Sequence, residues 1–390
     1  MYILMIARGV PSPHHPQWGC FEKDQAEALA RLGHKVVVMS IDARFARHRS
    51  SLGLHHFSRN GVEYYNKTVL PAQLFSRILG REKYCTIIKR KYYTDLAAKI
   101  IALHGKPDII YSQFFTNSAF AVDIKGSAGI PLVSIEHLAR FNEVKLNPFD
   151  EKWARKAFDG SDILIAVAGT LAANLKKRFD KDCVVVHNMY GKEFDHPGNP
   201  HPKSPTEPLV FVSTASLLYR KGFDAIIKAF ALAKLPPEKW IFNIIGWGEE
   251  KENLERLIQE NNLAQNVFLL GKMDKPAIVK ELAKSHVFAL PSRNENFSVA
   301  VLEGLAMGLP VIATECGGIR ECINKQNGII TPVDDIQAMA DAITHMVDNY
   351  DQYDRKAIIR DCKERFSPES IAQKLIEVFE TAINANNRSL

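Results

Sequence analysis

Short apolar segments alternate with longer amphipathic segments from one end of the chain to the other. Apolar strands separated by helices are typical of parallel sheets that are covered on both faces. Two sets of six strands exceed one doubly wound sheet, so the sequence predicts an α/β fold with two Rossmann-like domains. The predicted strands lie at 2–7, 35–41, 108–112, 131–135, 162–167 and 183–187, and then at 209–214, 240–245, 267–270, 286–290, 310–313 and 328–331.

A proline-rich segment separates the two sets of strands. Residues 195–208 contain five prolines, which cannot continue a helix or a central strand. We therefore predict an N-terminal domain over 1–194, a linker over 195–208 and a C-terminal domain over 209–366. The active site of such a pair is expected in a cleft, at the carboxyl ends of the strands of both sheets.

Two glutamates in the second half indicate a binding site. Glu295 follows a predicted strand, and Glu303 lies eight residues further on, inside a predicted helix over 298–307. If all of these residues were helical, the two carboxylates would be roughly 12 Å apart. That separation is too large for a shared proton or a single metal ion. It suits two carboxylates that bind different hydroxyl groups of one elongated ligand, although a surface carboxylate and a helix-capping carboxylate would give the same pattern.

The start of the same helix is a predicted anion site. The first N–H groups of a helix have no acceptor within the helix, and they favour a phosphate. Here they belong to Phe297, Ser298 and Val299, which lie between the two glutamates in the sequence. A ligand with hydroxyl groups at both ends and phosphates in the middle is a nucleotide sugar.

The sequence around the acidic pair resembles family 4 of the retaining glycosyltransferases, which have the GT-B fold. The resemblance continues through residues 303–314, 317–321 and 327–330. It implies two Rossmann-like domains that face each other across a cleft, with an acceptor-binding N-terminal domain and a C-terminal domain that binds the nucleotide sugar. It also implies a C-terminal helix, here within 367–390, that crosses back to the N-terminal domain.

The resemblance assigns roles to residues of the second half. Glu303 is expected to accept hydrogen bonds from the ribose hydroxyls, and Glu295 to hold the donor sugar and orient its anomeric carbon. Lys221 is expected to neutralise the departing diphosphate. The family usually adds an arginine, but Ser216 stands at that position here, and Arg220 could only partly substitute for it.

Other glycines and polar residues match the family pattern. Gly19, at a helix start, is expected near the donor diphosphate, and His137, after a strand, near the donor sugar. A turn glycine and a histidine that satisfies loop carbonyls are the alternatives. Gly246 begins a G-x-G turn expected under the base, but Lys251 replaces the third glycine of a dinucleotide fingerprint, which argues against a dehydrogenase. Asn188 is expected to shape a loop.

The predicted function is therefore a retaining transfer of sugar from a nucleotide sugar to a hydroxyl of a glycan or lipid-linked acceptor. We expect this transfer in cell-surface polysaccharide synthesis, with no metal and no cofactor. Two alternatives share the fold: a nucleotide-sugar epimerase, and a non-catalytic nucleotide-binding subunit, which Ser216 motivates. Product analysis separates the first from a transferase, and absence of turnover identifies the second.

Charge and composition bear on the partners. The net charge of +6 is too small, without a matching module, to favour nucleic-acid binding. Cysteine spacing gives no disulfide framework, and no apolar run approaches a membrane span, so we expect a cytoplasmic protein. Two basic clusters could bind the inner membrane face or a phosphorylated acceptor, or form solvated helix faces: Arg44, Arg47, His48 and Arg49, and Lys83, Lys89, Arg90 and Lys91.

Overall fold

The computed structural model divides into two compact units. Unit 1 is Met1–His187 with Ile371–Leu390, and unit 2 is Asn188–Ser370. Most of the predicted linker over 195–208 lies outside the residues that the structure describes, as do Arg47, His48 and Arg49. The described residues are 1–11, 18–44, 51–70, 80–143, 145–195, 204 and 207–389.

Unit 1 is built on an eight-stranded sheet in the order β3-β4-β2-β1-β5-β6-β7-β8. All neighbouring strands are parallel except β3 and β4. The strands are Tyr2–Ile6 (β1), Lys35–Asp42 (β2), Gly53–Arg59 (β3), Val62–Thr68 (β4), Ile109–Gln113 (β5), Leu132–Glu136 (β6), Ile163–Ala166 (β7) and Val184–Val185 (β8). The longer helices are Cys20–Arg31 (α1), Arg90–His104 (α2), Phe115–Ala128 (α3), Pro148–Gly160 (α4) and Gly169–Phe179 (α5).

The prediction of six strands in the first half was wrong, because it missed the β3–β4 hairpin. The two antiparallel strands are joined by Asn60 and Gly61, whose φ angles of 51° and 77° suit a tight hairpin turn. An Asn-Gly pair between two strands is a hairpin signal that can be read from sequence. It was overlooked because β3 lies at the sheet edge, is largely exposed and lacks an apolar run.

Unit 2 contains a six-stranded parallel sheet in the order β11-β10-β9-β12-β13-β14. All six strands predicted for the second half are confirmed. They are Leu209–Thr214 (β9), Trp240–Ile245 (β10), Val267–Gly271 (β11), Val287–Leu290 (β12), Val311–Thr314 (β13) and Gly328–Thr331 (β14). The helices are Phe223–Ala233 (α6), Lys251–Glu260 (α7), Lys275–Lys284 (α8), Val299–Ala306 (α9), Ile336–Asn349 (α10) and Arg355–Phe366 (α11).

The last helix, Pro368–Ser389 (α12), begins in unit 2 and contributes most of its length to unit 1. Its start combines proline in the first turn with Ser367, whose Oγ accepts a hydrogen bond from the N–H of Ser370 at 3.2 Å. Further along, the ring of Phe379 lies 4.9 Å from the ring of Tyr111 on β5. The expected return of the C-terminal helix to the N-terminal unit is thus confirmed.

Helix α9 is packed unusually tightly against the sheet of unit 2. A Cβ atom added to Gly304 would lie 2.7 Å from the ring of Phe288 on β12. The helix is followed by Gly308, whose φ of 74° is in the left-handed region. This close approach fixes the start of α9 at the carboxyl end of β12, where the acidic pair lies.

None of the helices within the described part of the chain is both long and apolar enough to cross a membrane.

Candidate functional site

The side chains of Lys221 and Glu295 form an ion pair in unit 2, in which Lys221 Nζ donates to Oε1 of Glu295. The same oxygen accepts a hydrogen bond from the hydroxyl of Ser292 at 2.9 Å. Lys221 is held close by Gly222, where an added Cβ would lie 1.9 Å from the carbonyl oxygen of Pro291. Lys221 was expected at the diphosphate and Glu295 at the donor sugar, whereas the structure brings the two side chains together.

The backbone around Glu295 is fixed by a glycine pair after β13. Gly317 has a φ of 58°, and a Cβ at this position would lie 2.2 Å from the carbonyl oxygen of Glu295. The N–H of Gly318 donates to the carbonyl of Asn296 at 2.6 Å. Both glycines belong to the segment that resembles the family, and their role is to let two backbones meet without a side chain between them.

Helix α9 begins at Val299, with Ser298 as the residue before it, as the sequence predicted. The Ser298 side chain makes no capping hydrogen bond with a described residue. Phe297 contributes through its backbone, because its ring packs 5.6 Å from the ring of Phe366. Its carbonyl oxygen accepts a hydrogen bond from Nδ2 of Asn188 at 3.0 Å, so Asn188 shapes this loop, as expected.

Glu303 lies within α9, and 12% of its side chain is exposed. Its Oε1 atom is 4.0 Å from Nζ of Lys275, the first residue of α8. The same ammonium group is 3.6 Å from Oε2 of Glu193. Lys275 was not predicted as a site residue, although a lysine at a helix start just after β11 is expected near the carboxyl ends of the strands.

Ser216 stands at the sequence position where the family usually has an arginine. Ser216 and Arg220 are both exposed, and the carbonyl of Arg220 accepts a hydrogen bond from the N–H of Arg293 at 2.8 Å. Arg293 itself donates to both carboxylate oxygens of Asp224, at 2.8 and 2.9 Å. Its guanidinium also lies 4.0 Å from the ring centre of Tyr219, so Arg293 holds two loops together.

The glycine-rich turn after β10 is bound to the loop that contains Ser216. A Cβ at Gly246 would lie 1.8 Å from the carbonyl oxygen of Ala215, and one at Gly248 would lie 2.1 Å from that of Leu217. The N–H of Leu217 donates to the carbonyl of Trp247 at 3.1 Å. Close backbone packing therefore accounts for both glycines, and it leaves Trp247 between them exposed.

In unit 1, Gly19 precedes α1 in the left-handed conformation, with a φ of 76°. A Cβ atom there would lie 2.1 Å from the carbonyl oxygen of Gly9, which follows β1. A Cβ on Gly9 would in turn meet the ring of Trp18 at 1.8 Å. The loop after β1 and the start of α1 are thus packed backbone against backbone.

His137 follows β6 and is half-buried. Its Nε2 atom is 2.8 Å from Oε1 of Gln113. The amide nitrogen of Gln113 donates to Oε1 of Gln25, which also accepts from the hydroxyl of Tyr111. Since Gln113 uses its nitrogen there, its oxygen accepts from Nε2–H of His137, and this network assigns the Nε2–H tautomer to neutral His137.

A buried carboxylate, missed by the sequence analysis, fixes the backbone on either side of His137. Glu136 is fully buried, and its Oε1 accepts from the N–H groups of His137 and Leu138, each at 2.8 Å. Its Oε2 accepts from the N–H of Phe115 at 2.8 Å. Burial raises the pKa of Glu136 to about 7, against the opposing effect of these hydrogen bonds. A glutamate that ends an apolar strand just before a candidate site histidine was the available signal.

The two predicted basic clusters are largely neutralised where they are described. Arg44 donates to both carboxylate oxygens of Asp42. In the second cluster, Arg90 pairs with Asp123 at 3.2 Å and Lys91 with Asp95 at 3.3 Å. Lys89 Nζ lies over the rings of Tyr93 and Phe120, and burial lowers its pKa.

The chain has one Asp-x-Asp triplet, Asp180-Lys181-Asp182, a spacing that could hold a divalent cation. Both carboxylates are about nine-tenths exposed and lie 3.0 Å from Nζ of Lys176. Across the described residues there is no group of three or more His, Cys, Asp or Glu arranged to hold a metal ion.

Two Rossmann-like units, each built on a largely or wholly parallel sheet, are the architecture of the GT-B class of fold. The structure of HepE from Anabaena in complex with UDP has a TM-score of 0.71 to this chain at 18% identity. That match covers 98% of this chain and 100% of HepE.

Two family models match the sequence. One, described as glycosyl transferases group 1, matches residues 199–381, and the other, described as glycosyltransferase family 4, matches residues 23–190. The chain therefore belongs to the group 1, family 4 glycosyltransferases.

Relatives within the family differ in how much of their sequence aligns with this chain. An uncharacterized glycosyltransferase of Haemophilus influenzae is 30% identical over 145 residues, which are 36% of this chain and 40% of that protein. The putative teichuronic acid biosynthesis glycosyltransferase TuaC of Bacillus subtilis is 25% identical over 370 residues, 88% of each chain.

Proposed function

We propose that the protein is a retaining glycosyltransferase that moves a sugar from a nucleotide-sugar donor to a hydroxyl of a glycan or lipid-linked acceptor. The observation that carries this proposal is the Lys221–Glu295 ion pair beside the start of α9, with Glu303 further along that helix. Lys221, which lies after β9, supplies a cation, while α9 and the loop before it supply backbone N–H donors and two carboxylates.

In this proposal the donor's ribose binds at Glu303. An ionised carboxylate only accepts hydrogen bonds, and its two oxygens can accept from two neighbouring hydroxyls. The Glu303 side chain is largely buried, so it would form these bonds with little competition from water. The diphosphate then binds at the N–H groups of Ser298 and Val299, where a helix start favours negative charge.

The ion pair between Lys221 and Glu295 gives the donor a way to engage both residues. A diphosphate that approaches the ammonium group competes with Glu295 for Lys221. Glu295, still held by Ser292, then accepts hydrogen bonds from hydroxyls of the donor sugar. Lys221 neutralises the negative charge that grows on the leaving diphosphate, which lowers the barrier more in a site shielded from water.

The proposed transfer breaks the bond between the anomeric carbon and the diphosphate oxygen, and forms a bond from that carbon to the acceptor hydroxyl. Attack on the face that the leaving group vacates retains the anomeric configuration. The departing phosphate oxygen accepts the proton of the acceptor hydroxyl, so no protein base is needed. Lys221 and the helix start supply the positive charge, and the reaction is proposed to need no divalent metal and no cofactor.

Residues of unit 1 complete the proposal. In its neutral form His137 donates from Nε2 to Gln113, which fixes the orientation of the ring that is proposed to contact the donor sugar. Gly19 keeps the start of α1 free of a side chain, so a phosphate could approach the backbone closely. Arg220 is exposed, and it is proposed to substitute only in part for the family's arginine at the diphosphate.

Relatives support a role in cell-surface polysaccharide synthesis. The name of TuaC refers to teichuronic acid, and HepE was crystallised with UDP. We extend this to a cytoplasmic enzyme that acts at the inner membrane face and does not bind nucleic acid. The acidic partners of Arg90 and Lys91 make any membrane contact through α2 weak.

The second candidate is a non-catalytic nucleotide-binding subunit, which the exposed Ser216 at the family's arginine position favours. Calorimetry with UDP, GDP and ADP, each with and without EDTA, is the first test. Binding of one nucleotide that is indifferent to EDTA supports a metal-independent donor site. Donor turnover with retained configuration then supports the transferase, whereas nucleotide binding without turnover supports the subunit. Epimerised nucleotide sugar, formed with no acceptor, identifies an epimerase.

A further inference from the structure

Arg8 lies two residues after the carboxyl end of β1 in unit 1. It is a second cation at the carboxyl edge of a sheet, in addition to Lys221 of unit 2. Its guanidinium carbon lies 4.8 Å from the ring centre of Trp18 and 4.5 Å from that of Phe114. About a third of the side chain is exposed. Two aromatic rings therefore limit the orientations that this planar cation can adopt.

The charge of Arg8 is poorly compensated, in contrast to that of its neighbour Arg44. The guanidinium of Arg44 lies 4.4 Å from the ring centre of Trp18, but Asp42 accepts two hydrogen bonds from it, at 2.9 and 2.7 Å. For Arg8 the nearest carboxylate is Glu22, with 3.6 Å between Nε and Oε1. That distance is too long for a hydrogen bond, and burial raises the pKa of Glu22.

The two terminal nitrogens of Arg8 make no hydrogen bond with any described residue, so their N–H groups remain for a ligand. A guanidinium presents parallel N–H donors that match the oxygens of a phosphate or carboxylate in geometry and charge. Aromatic rings against its faces leave its edge as the binding surface. The chemistry that would fill this position is an oxyanion.

We infer that Arg8 binds a phosphate group of a substrate, at the carboxyl edge of the unit 1 sheet. This inference rests on the proposed function and deepens it. The phosphate belongs either to the diphosphate of the donor or to a phosphorylated acceptor, and the two sources share the same chemistry.

The surroundings of Arg8 fit such a site. Phe114 has a φ of 67°, a conformation that a bulky residue adopts only when its surroundings impose it. In that conformation its ring lies against the Arg8 guanidinium and 4.9 Å from the ring of His137. Gly9, next to Arg8, also packs against Gly19. A phosphate on Arg8 would therefore lie beside the two unit 1 residues expected to contact substrate.

The test is calorimetric titration of the full chain with inorganic pyrophosphate, with and without a saturating nucleoside diphosphate. The variants are Arg8→Gln, Arg8→Lys and the matched control Arg44→Gln, whose guanidinium faces the same Trp18 ring. We expect Arg8→Gln to weaken pyrophosphate binding at least 10-fold, Arg8→Lys to weaken it less, and Arg44→Gln to leave it unchanged. Melting temperatures establish whether each variant is folded. If Arg8→Gln does not fold, Arg8→Lys, which keeps the positive charge, tests the site in its place.

The outcomes separate the two sources. Binding of pyrophosphate that depends on Arg8 and persists beside saturating nucleotide assigns the site to the acceptor. Competition between the two, with weaker nucleotide binding by Arg8→Gln, assigns it to the donor diphosphate. Equal affinity in wild type and Arg8→Gln, equal losses in Arg8→Gln and Arg44→Gln, or no binding by wild type overturns the inference. Because pyrophosphate binding needs no turnover, an inactive protein that binds it through Arg8 would refute the transferase and not the anion site.

Discussion

Lys221 and Glu295 join two loops that follow neighbouring strands of the unit 2 sheet, β9 and β12. The two opposite charges compensate each other, so the pair is neutral overall when no ligand is bound. Only 12% of the Lys221 side chain and 15% of the Glu295 side chain are exposed. Removal of one partner would leave the other as an unpaired, largely buried charge, which would lower stability. The pair is therefore both a structural link and the proposed point of donor engagement.

This link predicts coupled effects of mutation. Glu295→Ala should mainly lower kcat, by about 100-fold. Lys221→Ala should lower kcat and also weaken donor binding, because the lysine is proposed to contact the diphosphate in both the ground and the transition state. The double variant should lose less than the product of the two single losses, since either change alone already breaks the pair. Steady-state kinetics on the four proteins measure the coupling. Strictly multiplicative losses would show that the two residues act independently.

Removal of the Glu303 carboxylate should weaken nucleotide binding. Glu303→Ala removes the proposed acceptor for two ribose hydroxyls. We therefore expect the Kd of the bound nucleoside diphosphate to rise at least 10-fold, about 1.4 kcal/mol. The matched control is Glu281→Ala, a glutamate of α8 that pairs with Lys284. Calorimetry gives both Kd values directly. An unchanged Kd for Glu303→Ala would refute the ribose role.

Glycine replacements distinguish close backbone packing from open space. In Gly246→Ala the new Cβ would lie 1.8 Å from the carbonyl oxygen of Ala215, so the turn must shift, and we expect a loss of about 1–3 kcal/mol in stability. Gly126→Ala, on an exposed face of α3 with nothing within 4 Å, should instead stabilise by about 0.5–1 kcal/mol. Urea unfolding measures both. Equal stability of the two variants would contradict the packing at Gly246.

Glu136 predicts a dependence of stability on pH. Its pKa is about 7 in the folded protein, against 4.5 for an unperturbed carboxyl. Below the unfolded pKa both states carry the proton, and Glu136 contributes its full stability. Between the two values the unfolded chain releases the proton first, so stability falls as pH rises, and above the folded pKa it is constant. Integrated over that window, the loss is roughly 3 kcal/mol.

Denaturant unfolding of wild type and Glu136→Gln at pH 5 and pH 8 tests this dependence. The variant has no proton to release, so its stability relative to wild type should rise by roughly 2–3 kcal/mol between these pH values. At low pH the variant should be less stable than wild type, because the side-chain NH₂ group of the introduced glutamine would face a backbone N–H donor in place of an acceptor oxygen. A constant difference between the two proteins across this range would show that Glu136 does not titrate there.

Much of the unit 2 site could be predicted from the sequence because it is local. The strand β12, the start of α9 and the spacing of Glu295 and Glu303 all lie within one short segment, where apolar periodicity and glycine and proline signals fix the elements. The order of the parallel strands then places the loops at one edge. The resemblance added roles to these residues, and those roles remain predictions.

The contacts that join distant segments could not be predicted in this way. The sequence around Glu136 does not indicate that its carboxylate accepts a hydrogen bond from the backbone N–H of Phe115, 21 residues earlier. Arg8 and Phe114, far apart in sequence, meet because β1 and β5 are neighbours in the sheet. Periodicity reports which face of an element is buried, but not which side chain of another element lies against it.

The sequence by itself determined the two parallel-sheet units, the position of the acidic pair and the start of α9, because short-range patterns govern strands, helices and their ends. Only the tertiary structure decided that Lys221 and Glu295 form a pair and that the buried Glu136 carboxylate accepts hydrogen bonds from the backbone. It also decided that the guanidinium of Arg8 lies against two aromatic rings and 3.6 Å from its nearest described carboxylate, Glu22. The physical reason is that ion pairing, burial and pKa depend on distances between side chains, which are set when separate strands assemble into a sheet.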